Sequence, residues 1–435
     1  MLTTAIICAL TILLMVFSVF RVPVVRFGKI QLGGYCFFSL LGALALLVFG
    51  AVSPSQAISG ILSDSDVNPI KILILFLTMT AFSVFLDELG FFRALACATL
   101  KKAGASQRTL FFLLYLIVSV LTVFTSNDII ILTFTPFICA FARNASINPL
   151  PYLFCEFFAA NTWSMALMIG NPTNIYVASF HGIDFFTYMG TMILPTVCGG
   201  LFSLLLLYLV FQKMLRAPIV ATPNEEKIKE KPLLIVGIVH LVLCLVFLMI
   251  SSYIGVPMWL VSLSLFITLC ITVLIMRYQK REKPVILFRT IRRMPWELVP
   301  FMLSMFILVI SLRESGICAV FSGVLENSLG GANAPTFTYG ITSYLAANLI
   351  NNIPMSVLFA DLANLAPTSG AIYGTIVGSN LGACLTPVGA LAGIMWADIL
   401  RREGVKFDYR DFVRYGLMIS VPTLLVTLTI LHFIL

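Results

Sequence analysis

The chain has 435 residues, 60% of them hydrophobic and only 11% charged, with a mean hydropathy of +1.03 and a net charge of +8. A soluble domain carries about 25% charged residues, so this composition excludes one. Repeated apolar runs of about 20 residues fit membrane-spanning helices and not the short alternating strands of a bilayer barrel.

The first run, LTTAIICALTILLMVFSVF, has no basic residue ahead of it and no small-residue cleavage site, so a retained span is expected instead of a signal peptide. Hydropathy places ten spans near 3–20, 30–52, 68–86, 150–180, 187–211, 232–251, 256–276, 296–312, 371–398 and 411–434. Two shorter apolar pairs, 109–142 and 336–366, are left over. If these pairs re-enter instead of crossing, all of the 27 lysines and arginines except Lys71 and Arg313 fall on one side. That side is then the cytoplasm, and both termini lie outside a cell (inner) membrane that the chain crosses many times. The basic surplus marks loops beside anionic lipid and needs no nucleic acid. The ten cysteines are scattered, none closer than Cys139 and Cys155, which excludes zinc, haem and CxxC spacings. No HExxH or Ser–His–Asp pattern points to an enzyme.

The chain repeats itself. SVFLDELGFFRAL at 83–95 resembles VISLRESGICAVF at 309–321, and TSNDIIILTFTP resembles INNIPMSVLFAD. This places Asn127 on Asn351 and Asp128 on Asn352. GNPTN pairs with LTPVG, so Pro172 meets Pro387, and the closing spans share Pro-Thr at Pro195 and Pro422. The expected division is a first repeat over 1–220, a polar cytoplasmic linker over 221–231 and a second repeat over 232–435. Five crossings per half is odd, so the second half is inserted upside down, a common plan among secondary transporters. The fold class expected is an all-α polytopic membrane protein with about ten transmembrane helices and two re-entrant helical hairpins. Their tips lie at Ser126-Asn127-Asp128 and Asn351-Asn352.

At a re-entrant tip the backbone leaves the helix, and its free N–H and C=O groups must line a polar cavity. Short polar side chains suit that place, as caps or as ligands. Asp128 carries a carboxylate at membrane depth, which by default marks a functional site and, once desolvated, favours holding a proton. IGNPTN and CLTPVG are broken-helix candidates, because Pro and Gly open a helix inside an apolar run. Half-helix ends there point polar groups at a ligand. The candidate substrate- or ion-binding set is Ser126, Asn127, Asp128, Asn161, Thr162, Asn171, Thr173, Asn351, Asn352, Asn380 and Thr386, with Asp128 coupling protons and no metal site. Glu156 lies a turn or two inside the fourth span, where its length allows snorkelling toward the cytoplasm, and a structural role is expected ahead of a functional one. Asp361 lies on the returning limb of the second hairpin, with packing and function both open to it. Asp87, Glu88, Arg313 and Glu314 are expected to be solvated or paired at span ends.

The passages FLDELGFF, SNDIIILTFTP, NNIPMSVL and GSNLGACLTPVGALAGIMWADILRREG resemble the arsenical pump membrane protein (ArsB) family of the ion transporter superfamily, over nearly the whole chain. The resemblance implies a secondary transporter exporting arsenite or antimonite against protons. It implies a scaffold with a mobile core of elevator type, and the tip aspartate as proton carrier, which falls on Asp128. Members of that family carry Asp-Thr where this chain has Asn161-Thr162. They carry an acidic residue and then Pro-Lys in the segment holding Asn380, Ala383 and Cys384. An amide-lined site also fits a sodium–proton antiporter or a sodium-coupled anion or carboxylate carrier of the same superfamily. No cofactor is expected beyond a proton gradient, with sodium as the other coupling ion. The partners expected are the small-molecule substrate, the bilayer, a second copy of the chain through the scaffold and, as for some family members, a soluble ATPase subunit, with no nucleic acid.

Overall fold

The computed structural model describes residues 1–22, 24–27, 30–62, 68–104, 106–219, 228, 230–327, 334–365, 367–405 and 408–435. Most of the expected linker 221–231 lies outside them, as do Lys29, Lys227, Lys229 and Lys406. Helix α1 (Leu2–Arg21) leads into a short antiparallel ribbon, β1 (Val24–Phe27) against β2 (Ile30–Gly33), with Val24 opposite Gly33. Helix α2 (Gly34–Val48) then returns. The expected span 30–52 is therefore shorter at its start. A Cβ on Gly34 would stand 2.0 Å from the Val22 carbonyl oxygen, and one on Gly42 would meet Thr11. The helix begins where glycine lets α2 close on α1.

A capping box between Ser53 and Gln56 opens α3 (Pro54–Ile61), and Asn68 caps α4 (Pro69–Glu88). Helix α4 is apolar around its circumference and buried nearly all round, as such a helix must be. After α5 (Phe91–Ala103) come the limbs of a helical hairpin, α6 (Gln107–Phe124) and α7 (Asn127–Asn144), turning at Thr125 and Ser126. The expected span 150–180 is two helices, α8 (Leu150–Trp163) and α9 (Pro172–Phe180), joined through a 3-10 turn at Met168–Gly170. Asp184 caps the long α10 (Phe185–Phe211).

The second part of the chain opens with α11 (Lys231–Ile254), α12 (Met258–Gln279), the amphipathic α13 (Val285–Arg293), α14 (Leu298–Glu314) and α15 (Ile317–Asn327). A second hairpin follows, α16 (Pro335–Ile350) and α17 (Asn352–Leu365), turning at Asn351. The expected span 371–398 is again broken, into α18 (Ser369–Gly382) and α19 (Leu391–Arg402), with a 3-10 turn at Pro387–Gly389 between them. Asp408 caps the closing α20 (Tyr409–Ile434).

Among the described residues seven helical segments are long and apolar enough to cross a bilayer, including α6 and counting Val285–Glu314 (α13 with α14) as one, while Leu2–Ser18 and α2 are shorter apolar helices. The two broken spans drop out of that set because each is divided in two. Leucines 201, 205 and 209 of α10 point outward along one stripe, as lipid-facing side chains do.

Contacts at helix ends define two faces. On one, Arg143 pairs with Glu403 at 2.6 Å, Arg293 with Asp87 at 2.9 Å and Glu88 at 2.6 Å, and Gln107 donates to the Ala217 carbonyl. On the other, Gln56 donates to Glu314 at 3.0 Å, and Arg313 lies 3.6 Å from Asp361. Asp87, Glu88, Arg313 and Glu314 are thus paired at span ends, as expected. Helix α16 lies along α18. Glycines 370, 374, 378 and 382 of α18 face it, and a Cβ on Gly374 would stand 2.6 Å from the Thr336 carbonyl. One small residue per turn lets two backbones approach this closely.

Candidate functional site

The site sits where the hairpin tips meet the broken spans. At the first tip, Ser126 is extended and Asn127 opens α7, with both side chains buried. Asn127 Nδ2 donates to Asn161 Oδ1 on α8 at 3.1 Å, and Asn161 donates in turn to the Phe157 carbonyl. The tip is therefore tied to the end of α8. Ser126 Oγ, Asn127 Oδ1 and Thr162 Oγ1 are buried and have no hydrogen-bond partner among the described residues.

Asn380, near the end of α18, joins the two breaks. Its Oδ1 accepts from Ser164 Oγ and Asn171 Nδ2, both at 2.8 Å, and its Nδ2 donates to Asn174 Oδ1 at 2.6 Å and to the Ile376 carbonyl at 2.8 Å. Asn171 caps α9 by accepting from the Thr173 N–H and hydroxyl. Asn174 donates to the Ser164 and Leu167 carbonyls, tying the buried turn to the start of α9. Buried polar groups must be paired in this way, and here each amide uses both its ends.

The second tip is built differently. Asn351 stands at φ 72° and ψ 151°, a region costly for any residue with a Cβ. Its Nδ2 donates to the Val388 carbonyl in the second break at 3.2 Å. Thr386 Oγ1 donates to Asn348 Oδ1 at 2.7 Å, and Asn348 Nδ2 donates to the Gly382 carbonyl at 3.0 Å. Asn352 is buried at the start of α17, and its carbonyl accepts from Ser356, which meets Ser379 at 3.0 Å.

Two sequence pairings shift. The returning limbs start at Asn127 and Asn352, so these two correspond, and Asp128 matches Ile353. The cause is tip length: Thr125 and Ser126 make the first turn, whereas the positive φ of Asn351 makes the second in one residue. In the breaks, the turn Met168–Gly170 corresponds to Pro387–Gly389, so Pro172 does not meet Pro387. Asn171 (φ −147°, ψ 138°) instead matches Ala390 (φ −146°, ψ 156°). Proline suits the first position of either kind of helix and so fixes no register.

Asp128 stands apart from the amide network. It lines a cavity of about 450 Å³ with Thr80 of α4 and Leu391 and Ile394 of α19. Arg293, Arg401 and Arg402 also line it, so it opens toward the face where most basic residues lie. A cavity of similar volume on the other face is lined by Arg313, Asp361 and Tyr176 but by neither tip. The sequence reading missed Asn348, a lone amide in an otherwise apolar limb, and Thr80. Glu156 does not snorkel: it is fully buried and meets Thr135 of α7. Cys384 is buried beside the second break, and no group of His, Cys, Asp or Glu that could hold a metal occurs among the described residues.

The sequence profile of the family described as citrate transporter (CitMHS) matches residues 34–374. The chain belongs to this family. It is also similar to the arsenical pump membrane protein of Escherichia coli (strain K12), 27% identical over 418 residues, covering 90% of this chain and 91% of that one. The protein of the same name from Yersinia enterocolitica is 27% identical over 370 residues, covering 82% and 84%. Among solved structures, the fold resembles the YdaH transporter of Alcanivorax borkumensis, with a TM-score of 0.56, 13% identity, and 99% and 98% of the two chains covered. It also resembles MtrF of Neisseria gonorrhoeae, described within a class of antimetabolite efflux pumps, with a TM-score of 0.53, 14% identity and coverage of 98% and 93%. The family member described here is thus a multi-pass secondary transporter of the ion transporter superfamily, not an enzyme.

Proposed function

We propose that this transporter exports arsenite or antimonite across the inner membrane in exchange for protons, with Asp128 as the proton carrier. One observation carries the reading: the network at the tips and breaks is made of neutral amides and hydroxyls, with Asp128 the one acidic group at the tips. Arsenite at neutral pH is mostly an uncharged trihydroxide, which calls for donors and acceptors and no cationic pocket. The unpaired Ser126 Oγ, Asn127 Oδ1 and Thr162 Oγ1 offer such groups at the first tip and break. Buried cysteines are idle here, since thiol capture is tight and slow to release.

The chain is read as two inverted repeats, 1–220 and 232–435. Support comes from the element order, in which hairpin, half-helix, 3-10 turn, half-helix and long closing helix occur twice. The face holding Arg143, Arg293 and Arg401 is assigned to the cytoplasm, with both termini outside. In that assignment the cavity beside Asp128 opens inward.

A second reading, a sodium-coupled carboxylate carrier or a sodium–proton antiporter, is favoured by the family description and by the arginines lining the Asp128 cavity. Arsenite resistance of cells lacking their own exporter decides between them. Wild-type protein should restore growth and Asp128→Asn should not, with equal amounts in the membrane. Normal resistance with Asp128→Asn removes the role given to Asp128, and no resistance with wild type removes the substrate.

A further inference from the structure

Glu156 carries a carboxyl group with no exposed surface, inside the core that holds the site. Helix α8, which carries it, is packed against α6, α7 and α10. Its hydrogen-bond partner is Thr135 of α7, whose Oγ1 lies 3.1 Å from Oε1 and 3.2 Å from Oε2. No lysine, arginine or histidine is paired with it among the described residues. The titratable groups facing it are the thiols of Cys139 on α7 and Cys155 on α8. Arg143 and Glu403, beyond Cys139, are bonded to each other.

Counting protons assigns the state of this group. A threonine hydroxyl has one hydrogen to give. Thr135 Oγ1 lies only 2.6 Å from the Ile131 carbonyl, one turn back on its own helix, and that acceptor takes the hydrogen. Toward Glu156, Thr135 then offers lone pairs. An ionised Glu156 would leave three oxygens with no proton among them and a buried charge without a counter-ion, the costliest arrangement a core can hold. A protonated carboxyl supplies the missing hydrogen.

We propose that Glu156 is a carboxylic acid that keeps its proton throughout the transport cycle and donates it to Thr135, clamping α8 to α7. It is a positioning residue. The Glu156–Thr135 bond is a second rung on the same two helices as the Asn127–Asn161 rung, about two turns away along α7 and about one and a half along α8. Together the rungs hold the first tip against the end of α8. The protonation claim stands whatever the substrate is, while the positioning claim rests on the reading of the tip as the binding site.

Glutamine separates this role from that of a second proton carrier, because its amide N–H donates to Thr135 as the acid does but releases no proton. Arsenite uptake into everted vesicles should run at about the wild-type rate in Glu156→Gln. In Glu156→Ala and Thr135→Val the half-saturation concentration should rise roughly tenfold, the worth of one hydrogen-bonded rung. The infrared spectrum of the purified wild-type protein at neutral pH should contain a protonated-carboxyl stretching band that Glu156→Gln removes and Thr135→Val shifts. Loss of coupled uptake in a folded Glu156→Gln protein overturns the proposal, since a proton carrier behaves so. An unchanged protonated-carboxyl region between wild type and Glu156→Gln overturns it independently of any substrate.

Discussion

Removing the Asn380 side chain strikes the bonds that hold the two broken spans together. In Asn380→Ala, Ser164 Oγ keeps the Asn161 carbonyl as a partner, and the Ile376 carbonyl keeps its place in the helix. Two buried groups are left alone: Asn171 Nδ2 and Asn174 Oδ1. Each orphaned group costs about 1–3 kcal/mol, so the variant should lose roughly 2–6 kcal/mol. Folded proteins hold about 5–15 kcal/mol in all, so the variant should fold but be visibly weakened. Asn380→Asp is no gentler at neutral pH, although it matches the acidic residue of the arsenite exporters. It places an oxygen against Asn174 Oδ1, and Asn174 cannot turn its amide round without losing the Ser164 and Leu167 carbonyls. The assay is thermal unfolding of the purified protein in detergent, where both variants should melt several degrees below wild type. A melting temperature unchanged in Asn380→Ala would refute the view that this side chain holds the breaks together.

Other perturbations have equally direct outcomes. Asn351→Ala keeps a Cβ in a strained conformation and loses the bond to Val388, so it should destabilise by about 1–2 kcal/mol. Asn351→Gly relieves the strain and should be milder in the same melting assay. Gly378→Ala puts a Cβ 2.0 Å from Ser343 Oγ and 2.4 Å from the Gly340 carbonyl, forcing α16 off α18. Its yield of folded, monodisperse protein by size-exclusion chromatography should fall sharply. Exchanging the charges of Arg313 and Asp361 in one double variant should restore uptake lost in either single reversal, because the pair links α14 to α17 on the face opposite the Asp128 cavity.

Much of this architecture is legible in the sequence because the bilayer allows few arrangements of backbone. The polar tips at Ser126 and Asn351 and the Pro-Gly breaks interrupt apolar runs where only a hairpin or an opened helix satisfies the chain. Registers were less legible. Residue identity suggested Asn127 with Asn351 and Pro172 with Pro387, but turn geometry decides both, and a positive φ at an asparagine leaves no mark in sequence. Glu156 misled because depth along a helix does not say which neighbours surround it. A place a turn or two inside the span would have allowed snorkelling toward the cytoplasm, whereas α6, α7 and α10 enclose it. The α18 glycines at four-residue spacing were visible as letters, but the partner they admit, α16, is fixed only by the fold.

If the polar tip beside Asp128 exchanges a neutral metalloid for protons, as proposed, metalloid flux must follow the proton gradient. Everted membrane vesicles energised by an imposed pH gradient, offered arsenite, sodium and citrate in parallel, test it most directly. Arsenite uptake should collapse with a protonophore and in Asp128→Asn, with no gradient-driven sodium or citrate movement. Sodium or citrate flux without arsenite flux would contradict it, and would mean that the amides at Asn161 and Asn380 serve a different cargo.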